Sequence, residues 1–297
     1  MDFLIPSTFA EALAIKAERP EVVPIAGGTD VMVELNFDHR RPTALLDLTR
    51  IAELTEWAPS ENLLRVGAGV PYVRIIDELG DRLPGLAMAS RTVGSPQIRN
   101  RGTVGGNLGA ASPAGDTHPV LLACDAQVEV ASVRGTRMIP AAEFYLGVKR
   151  NALEPDELIA AVHLAPAAAP QQFSKVGTRN AMVIAVCSFA VALHPEQGRV
   201  GAAVGSAAPT PRRALAAEEF LAGELSDAGL WESPKPLLDS VRRRFGELAA
   251  EAASPIDDVR GTAAYRRHAL AVLARRTLGW AWQDYCGTGE TRSQSCA

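Results

Sequence analysis

Two glycine pairs in like company constrain this chain most: AGGTD at Ala26–Asp30 and TVGGN at Thr103–Asn107. Glycine alone lacks a Cβ and reaches positive φ freely, so a glycine pair marks a tight turn or a close backbone approach. Any fold for the chain must place two such points, far apart in sequence. The second pair opens a longer run of small residues, TVGGNLGAASPAGD (Thr103–Asp116), with almost nothing to pack into a core.

The segments around the pairs alternate between strand and helix. DFLIP reads as a short strand. Thr8-Phe9-Ala10-Glu11 has the form of a capping box and predicts a helix that ends before Pro20. VVPIAGG reads as a strand entering a turn, TDVMVELN as a short helix from Thr29, and TALLDL (Thr43–Leu48) as a further strand. The N-terminal segment is thus βαβ in pattern. From about residue 60, LLRVGAGV, AQVEVASV and ELIAAVHL are strand candidates, with PYVRIIDEL a helix carrying Pro71 in its first turn. APAAAPQQ (Ala165–Gln172) is a joint, which divides the chain into residues 1–168 and 169–297. Beyond it FSKVG, AMVIAVCSFAVAL and RVGAAVGSA suggest a three-stranded antiparallel meander. SVRRRFGELAAEA and AAYRRHALAVLARRTLGWAWQDY have helical spacing, and GTGETRSQSCA reads as a disordered polar tail.

The 297 residues carry a formal net charge of −4 and are 47% hydrophobic, enough for two domains and without the basic face of a nucleic-acid binder. No apolar run approaches the ~20 residues that span a bilayer. The start, MDFLIPSTFAEAL, lacks the charged and apolar regions of a signal peptide, and a cytoplasmic protein is expected. Cys124, Cys187, Cys286 and Cys296 form no CxxC pair, so neither zinc nor an iron–sulfur cluster is expected in this chain.

Both glycine pairs are flanked by donors. Gly27 and Gly28 precede Thr29 and Asp30, where a helix would start and where free N–H groups suit phosphate oxygens. Taken alone, AGGTD also fits an ordinary βα turn with Thr29 or Asp30 as N-cap. Gly105 and Gly106 are flanked by Thr103 and Asn107. Two such segments could grip a pyrophosphate from two sides without a metal. Asp116 could accept from a ribose hydroxyl, or simply form a turn. Neither pair belongs to GxGxxG or GxxxxGK[ST].

The succession AGGTD, TVGGNLGAASPAGDTHPVLLACDA and FSKVGTRNAM resembles the flavoprotein (medium) subunit of the molybdenum hydroxylases, which include xanthine dehydrogenases and aerobic CO dehydrogenases. The resemblance spans essentially the whole chain. It implies an α+β fold: an FAD-binding domain of two α+β subdomains, then a smaller domain with a three-stranded antiparallel sheet and a helical bundle. It implies that Ile25, Ala26, Gly27, Gly28, Thr29, Asp30 and Val31 form one FAD diphosphate loop. Thr103, Val104, Gly105, Gly106 and Asn107 would form the other, with Asp116 at the adenosine end. Ile159 and Lys175 would approach from the middle and C-terminal regions, and the Lys175 charge would favour the reduced cofactor. Val93 stands where some members place a larger residue near the flavin and is left outside the set.

The resemblance also implies partners. A large subunit would hold the molybdenum cofactor and a small one the [2Fe–2S] clusters, in a dimer of heterotrimers. Electrons would pass through FAD here to NAD⁺ or another acceptor. The chain is then an oxidoreductase subunit of xanthine dehydrogenase type with no catalytic acid, base or metal ligand of its own. A flavoprotein subunit of an aerobic CO dehydrogenase or of an aldehyde or N-heterocycle hydroxylase is the alternative. So are a self-contained FAD oxidase and an assembly module without flavin. Ser112, Asp116 and His118 lack a nucleophile elbow and read as solvated or capping residues. His39 and His163 read as surface or satisfied positions. The Arg266-Arg267 and Arg275-Arg276 pairs read as solvated helix faces, and Trp280 and Trp282 as packing anchors.

Overall fold

The structure, a computed structural model, describes residues 1–294 and the side chains of residues 1–287. Its first lobe is a parallel βαβ unit. Strand β1 (Asp2–Leu4), helix α1 (Phe9–Glu18), β2 (Val23–Ile25), α2 (Val31–Asn36) and β3 (Ala44–Asp47) give a sheet of order β1-β3-β2. Thr8 caps α1 by accepting from the Glu11 N–H at 3.2 Å, and Glu11 reaches back to the Ser7 N–H at 2.7 Å. Pro24 is tolerated because β2 is an edge strand. The helix predicted from Thr29 begins at Val31 and is only six residues long.

The middle lobe is an antiparallel sheet, β4-β5-β10-β6-β7, made of β4 (Trp57–Ser60), β5 (Leu63–Gly67), β6 (Gln127–Ser132), β7 (Gly135–Pro140) and β10 (Leu158–Leu164). Between β5 and β6 run α3 (Tyr72–Glu78), α4 (Pro84–Thr92), α5 (Pro96–Arg99), α6 (Val104–Ala110) and α7 (His118–Ala123). Helix α8 (Ala141–Phe144) and the small hairpin β8 (Tyr145–Gly147) and β9 (Arg150–Asn151) precede β10. Every residue of β10 is buried. TVGGN, expected as a loop, is the cap and first turn of α6: the Thr103 hydroxyl accepts from the Gly106 N–H at 2.9 Å.

The C-terminal sheet has the predicted meander, β11 (Gln171–Val176), β12 (Cys187–His194) and β13 (Arg199–Gly205), and a two-residue fourth strand, β14 (Arg212–Arg213). Helices α9 (Leu215–Asp227), α10 (Asp239–Glu251) and α11 (Ala263–Gln294) cover one face. The apolar run around β12 is explained by burial of both faces. Phe189, Val191 and Leu193 pack on the helices, whereas Ala190 and Ala192 join the middle lobe's core. A side chain at Gly201 would overlap the Ala123 carbonyl oxygen, so β13 meets the end of α7 backbone to backbone.

Three expectations change here. The polar tail continues α11 as helix to Gln294; residues 295–297 lie outside the described residues. Arg266 is not solvated: it is 4% exposed, donates to the Val186 and Ser206 carbonyls at 2.6 and 2.8 Å, and pairs with Asp258 at 2.5 Å. Trp282 is a packing anchor against Trp231, with its indole N–H on the Lys235 carbonyl, while Trp280 is exposed. Among the described residues no helix is long and apolar enough to cross a membrane.

Candidate functional site

The two glycine pairs meet. A Cβ on Gly27 would overlap the Arg101 carbonyl oxygen, and one on Gly105 would lie 2.5 Å from the Ala68 Cβ. These two glycines let backbone pack on backbone. Their neighbours do something else. Gly28 sits at φ +74°, a left-handed conformation in which other residues are strained. Around Gly106 a Cβ would meet only the Thr103 hydroxyl, at 3.2 Å, and around Gly109 only an Ile159 methyl, at 3.9 Å. Within each pair, one glycine closes the fold on backbone; of the other two, Gly28 makes the left-handed turn beside Ile25 and Met32, and Gly106 faces open space.

That space is a cleft of about 620 Å³ between the first and middle lobes, reached also by Ile184 from the C-terminal part. Ala26, Gly27, Gly28, Thr29, Asp30 and Val31 line one side. Thr103, Gly105, Gly106 and Asn107 line the other, with Ile159 between. Among the described residues, the N–H groups of Gly28, Thr29, Asp30 and Val31, and of Thr103, have no protein acceptor. Ile25 and Val104 turn their side chains into apolar cores instead.

Asp116 and Lys175 do not line the cleft; they find each other. Lys175 Nζ lies 2.6 Å from Asp116 Oδ2 and also donates to the carbonyls of Thr92 (2.8 Å) and Val183 (3.2 Å). Both side chains are about nine-tenths buried, at 11% and 8% exposure. Burial pushes the Asp116 carboxyl above its ordinary range, against the pull of Lys175. Asp116 Oδ1 is buried without a protein partner.

Several wall residues carry no sequence signal. Lys16 projects from α1 into the wall, with Nζ on the carbonyls of Pro20 (2.6 Å) and Val22 (2.9 Å). Lys149 meets Glu34 at 2.7 Å across the cleft mouth, and Asn151 Nδ2 donates to the Gly109 carbonyl at 2.9 Å. Tyr72 also faces the cleft, as does Val93, the position that the family resemblance places near the flavin. Lys16, Tyr72, Lys149 and Asn151 come from segments distant in sequence, and no local pattern marks them.

Of the histidines, His163 is satisfied, 2.6 Å from Glu129, as expected. His118 is not solvated: it is fully buried, and burial pulls its pKa down to about 4. Because the folded form resists protonation, His118 supports stability in full above pH ~6.5. That support is lost as pH falls through 6.5 towards 4, by up to roughly 3 kcal/mol. Thermal melts at pH 7 and pH 4.5 are expected to lie closer together for His118→Gln than for wild type. Equal pH sensitivity in the two proteins would remove this role.

The family described as the FAD binding domain in molybdopterin dehydrogenase matches residues 1–167. The chain belongs to that FAD-binding family of the molybdenum hydroxylases. The CO dehydrogenase flavoprotein C-terminal domain matches residues 172–281. The nicotinate dehydrogenase FAD-subunit of Eubacterium barkeri is 32% identical, covering 80% of this chain and 84% of that one. A putative xanthine dehydrogenase FAD-binding subunit of Escherichia coli K12 is 29% identical over 92% of both. Quinoline 2-oxidoreductase from Pseudomonas putida 86 superimposes with a TM-score of 0.86 at 26% identity, covering 96% of this chain and 98% of that one. This flavoprotein subunit is thus an oxidoreductase component whose cofactor is FAD.

The cleft suits that cofactor. Its glycine walls offer unpaired N–H donors and room that a Cβ would fill at Gly106. Among the described residues no group of three or more metal-ligating side chains stands ready to bridge phosphates.

Proposed function

We propose that the chain is the electron-transfer subunit of a xanthine dehydrogenase-like complex. It takes electrons from [2Fe–2S] clusters in a small partner subunit and delivers them to NAD⁺ or another acceptor. The observation that carries this is the convergence of two donor-rich glycine segments on one cleft. FAD supplies the redox chemistry when bound; the chain supplies position and electrostatics. Gly28 to Val31 and Thr103 to Asn107 would hold the diphosphate, and Ile159 would meet the cofactor with an apolar side chain. Asp116 and Lys175 would act beside this set, locking the cleft's rear wall to the C-terminal sheet.

Residues 1–168 would form the FAD-binding domain and 169–297 the C-terminal domain, whose sheet and helices enclose a core of their own while Phe173, Ala190, Ala192 and Ala203 join the core of the first. The complex would be a dimer of heterotrimers with a large molybdenum-cofactor subunit. The buried thiols of Cys124 and Cys187 support a cytoplasmic setting. A second reading keeps the same role but changes the complex's substrate to another nitrogen heterocycle. The similarity to the nicotinate and quinoline proteins favours it.

The isolated chain is expected to carry FAD, to reduce a dye from NADH, and to leave xanthine untouched. Co-expressed with its two partner subunits, it is expected to co-purify and support xanthine oxidation. Purine hydroxylation by the pure chain would overturn the assignment. Hydroxylation of nicotinate or quinoline but not xanthine by the complex would select the second reading.

A further inference from the structure

Asn107 is gripped from behind by the two residues that open α7. Its side-chain Oδ1 accepts from the Thr117 hydroxyl at 2.8 Å. Its backbone carbonyl oxygen meets His118 Nε2 at 3.3 Å and the Ala111 N–H at 3.1 Å. A carbonyl oxygen only accepts, so this contact is a hydrogen bond in the tautomer that carries its hydrogen on Nε2. Thr117 and His118 are both fully buried, and neither lines the cleft; Asn107 is half-buried and does.

An amide has an accepting end and a donating end, and rotation about its last torsion exchanges them. Here the exchange is blocked. The Thr117 hydroxyl donates to Asn107 Oδ1 and lies beside the buried Tyr72 hydroxyl, for which no other partner is found among the described residues. Turning the amide would set Nδ2 against this pair of hydroxyls and leave one of their two buried hydrogens without an acceptor, which costs more than the bond itself contributes. Oδ1 therefore stays with Thr117, and Nδ2, without a protein acceptor among the described residues, remains the end available to the cleft. The neighbouring free group there, the Thr103 N–H, is a donor too, so the wall presents one sign of hydrogen bond.

The sequence around this grip is built for it. A Cβ on Gly115 would overlap the His118 ring, so only glycine lets the imidazole reach the Asn107 carbonyl. The His118 ring also packs on Tyr145, with centroids 4.8 Å apart, which fixes it from the other side.

We propose that Thr117 is a positioning residue for cofactor binding: it sets the Asn107 amide so that Nδ2 donates to an oxygen of FAD. This rests on the reading above that Asn107 meets the cofactor. Thr117 itself touches no part of the ligand; it acts through Asn107.

The test is titration of flavin-free protein with FAD, followed by flavin fluorescence. Thr117→Val keeps the shape and removes the hydroxyl, and the dissociation constant is expected to rise about tenfold, as for loss of one hydrogen bond to a charged group. Thr117→Ser restores the hydroxyl and is expected to bind within about twofold of wild type, because the same bond is re-formed. In an Asn107→Ala background, Thr117→Val is expected to add nothing, since coupled residues are not additive. Thr117→Ala makes the same comparison without the valine methyls.

Wild-type affinity in both Thr117→Val and Thr117→Ala overturns the proposal. An equal loss with and without Asn107 also overturns it, because Thr117 would then act through general packing. Gly106→Val separates the two levels. If it abolishes FAD binding while Thr117→Val does not, the cleft reading stands and the positioning role falls. If Gly106→Val also binds normally, both fall.

Discussion

Gly106→Val is expected to give a folded protein that retains little FAD, with affinity reduced by about a hundredfold or more, several times the loss of a single hydrogen bond. Gly106 is exposed to the cleft, and its missing Cβ faces open space except for the Thr103 hydroxyl at 3.2 Å. Valine would place a branched side chain where the diphosphate must approach the wall, and would press on the Thr103 cap. The fold has little stake in the position, so the melting temperature of the flavin-free protein is expected to stay close to wild type. Gly27→Ala is the contrasting control. Its methyl would overlap the Arg101 carbonyl oxygen, and the two glycine segments could not meet. That variant is expected to lose stability first and cofactor as a consequence. The measurements are FAD per chain by absorbance after denaturation, and thermal melts of the flavin-free forms. Full FAD content in Gly106→Val would remove the diphosphate from this wall. A wild-type melt for Gly27→Ala would refute the division of labour within the pairs.

This division shows what the sequence can and cannot convey. Both pairs are written GG, and the reading that they mark close approaches is right. Yet the approach at Gly27 and Gly105 is to the chain's own backbone, and at Gly28 and Gly106 the glycine borders the cleft. Nothing local distinguishes them, because the decisive neighbours, Arg101 and Ala68, arrive through the tertiary fold. The helix at Val104–Ala110 is hidden for a related reason. Three of its residues are glycine, the poorest helix former after proline. It forms because Thr103 caps it and Val104 and Leu108 anchor it in the core. Where local signals agree with the fold, the reading holds. The capping box at Thr8, the parallel βαβ unit and the C-terminal meander all appear as the patterns imply.

Asp116 and Lys175 illustrate the opposite case. Each is visible in the sequence as a charged residue beside a motif, and each invites a role towards the ligand. Their mutual contact joins segments that no periodicity relates. Once paired, the ammonium's three hydrogens go to Asp116, Thr92 and Val183, and the carboxylate neutralises its charge at 2.6 Å. Paired in this way, Lys175 ties β11 to the end of α4 and to the segment before α7.

Lys175→Met is accordingly expected to lower the melting temperature by on the order of ten degrees, since breaking a buried ion pair typically costs about 3–5 kcal/mol. The loss arises because Asp116 stays behind. Its Oδ2 keeps only the Thr92 hydroxyl, at 2.9 Å, and its Oδ1 has no protein partner. Burial already raises this carboxyl's pKa with Lys175 in place, so removing the opposing ammonium raises it further. An acid whose folded pKa lies above its unfolded value stabilises the fold most below the unfolded value, near pH 4, and loses that contribution as pH rises through the folded one. The deficit of Lys175→Met relative to wild type is therefore expected to be smaller at pH 5 than at pH 8. Adding Asp116→Asn removes the uncompensated charge at every pH, and the double variant is expected to recover most of the lost stability and to melt independently of this group. The midpoint potential of bound FAD is expected to change little in the double variant, because the pair removed there is neutral overall. Melts of the three proteins across pH 5–8, with a redox titration of each holo form, test the argument. A pH-independent deficit with no rescue by Asp116→Asn would reduce Lys175 to a packing residue. A clear fall in potential in the double variant would return the Lys175 charge to the cofactor.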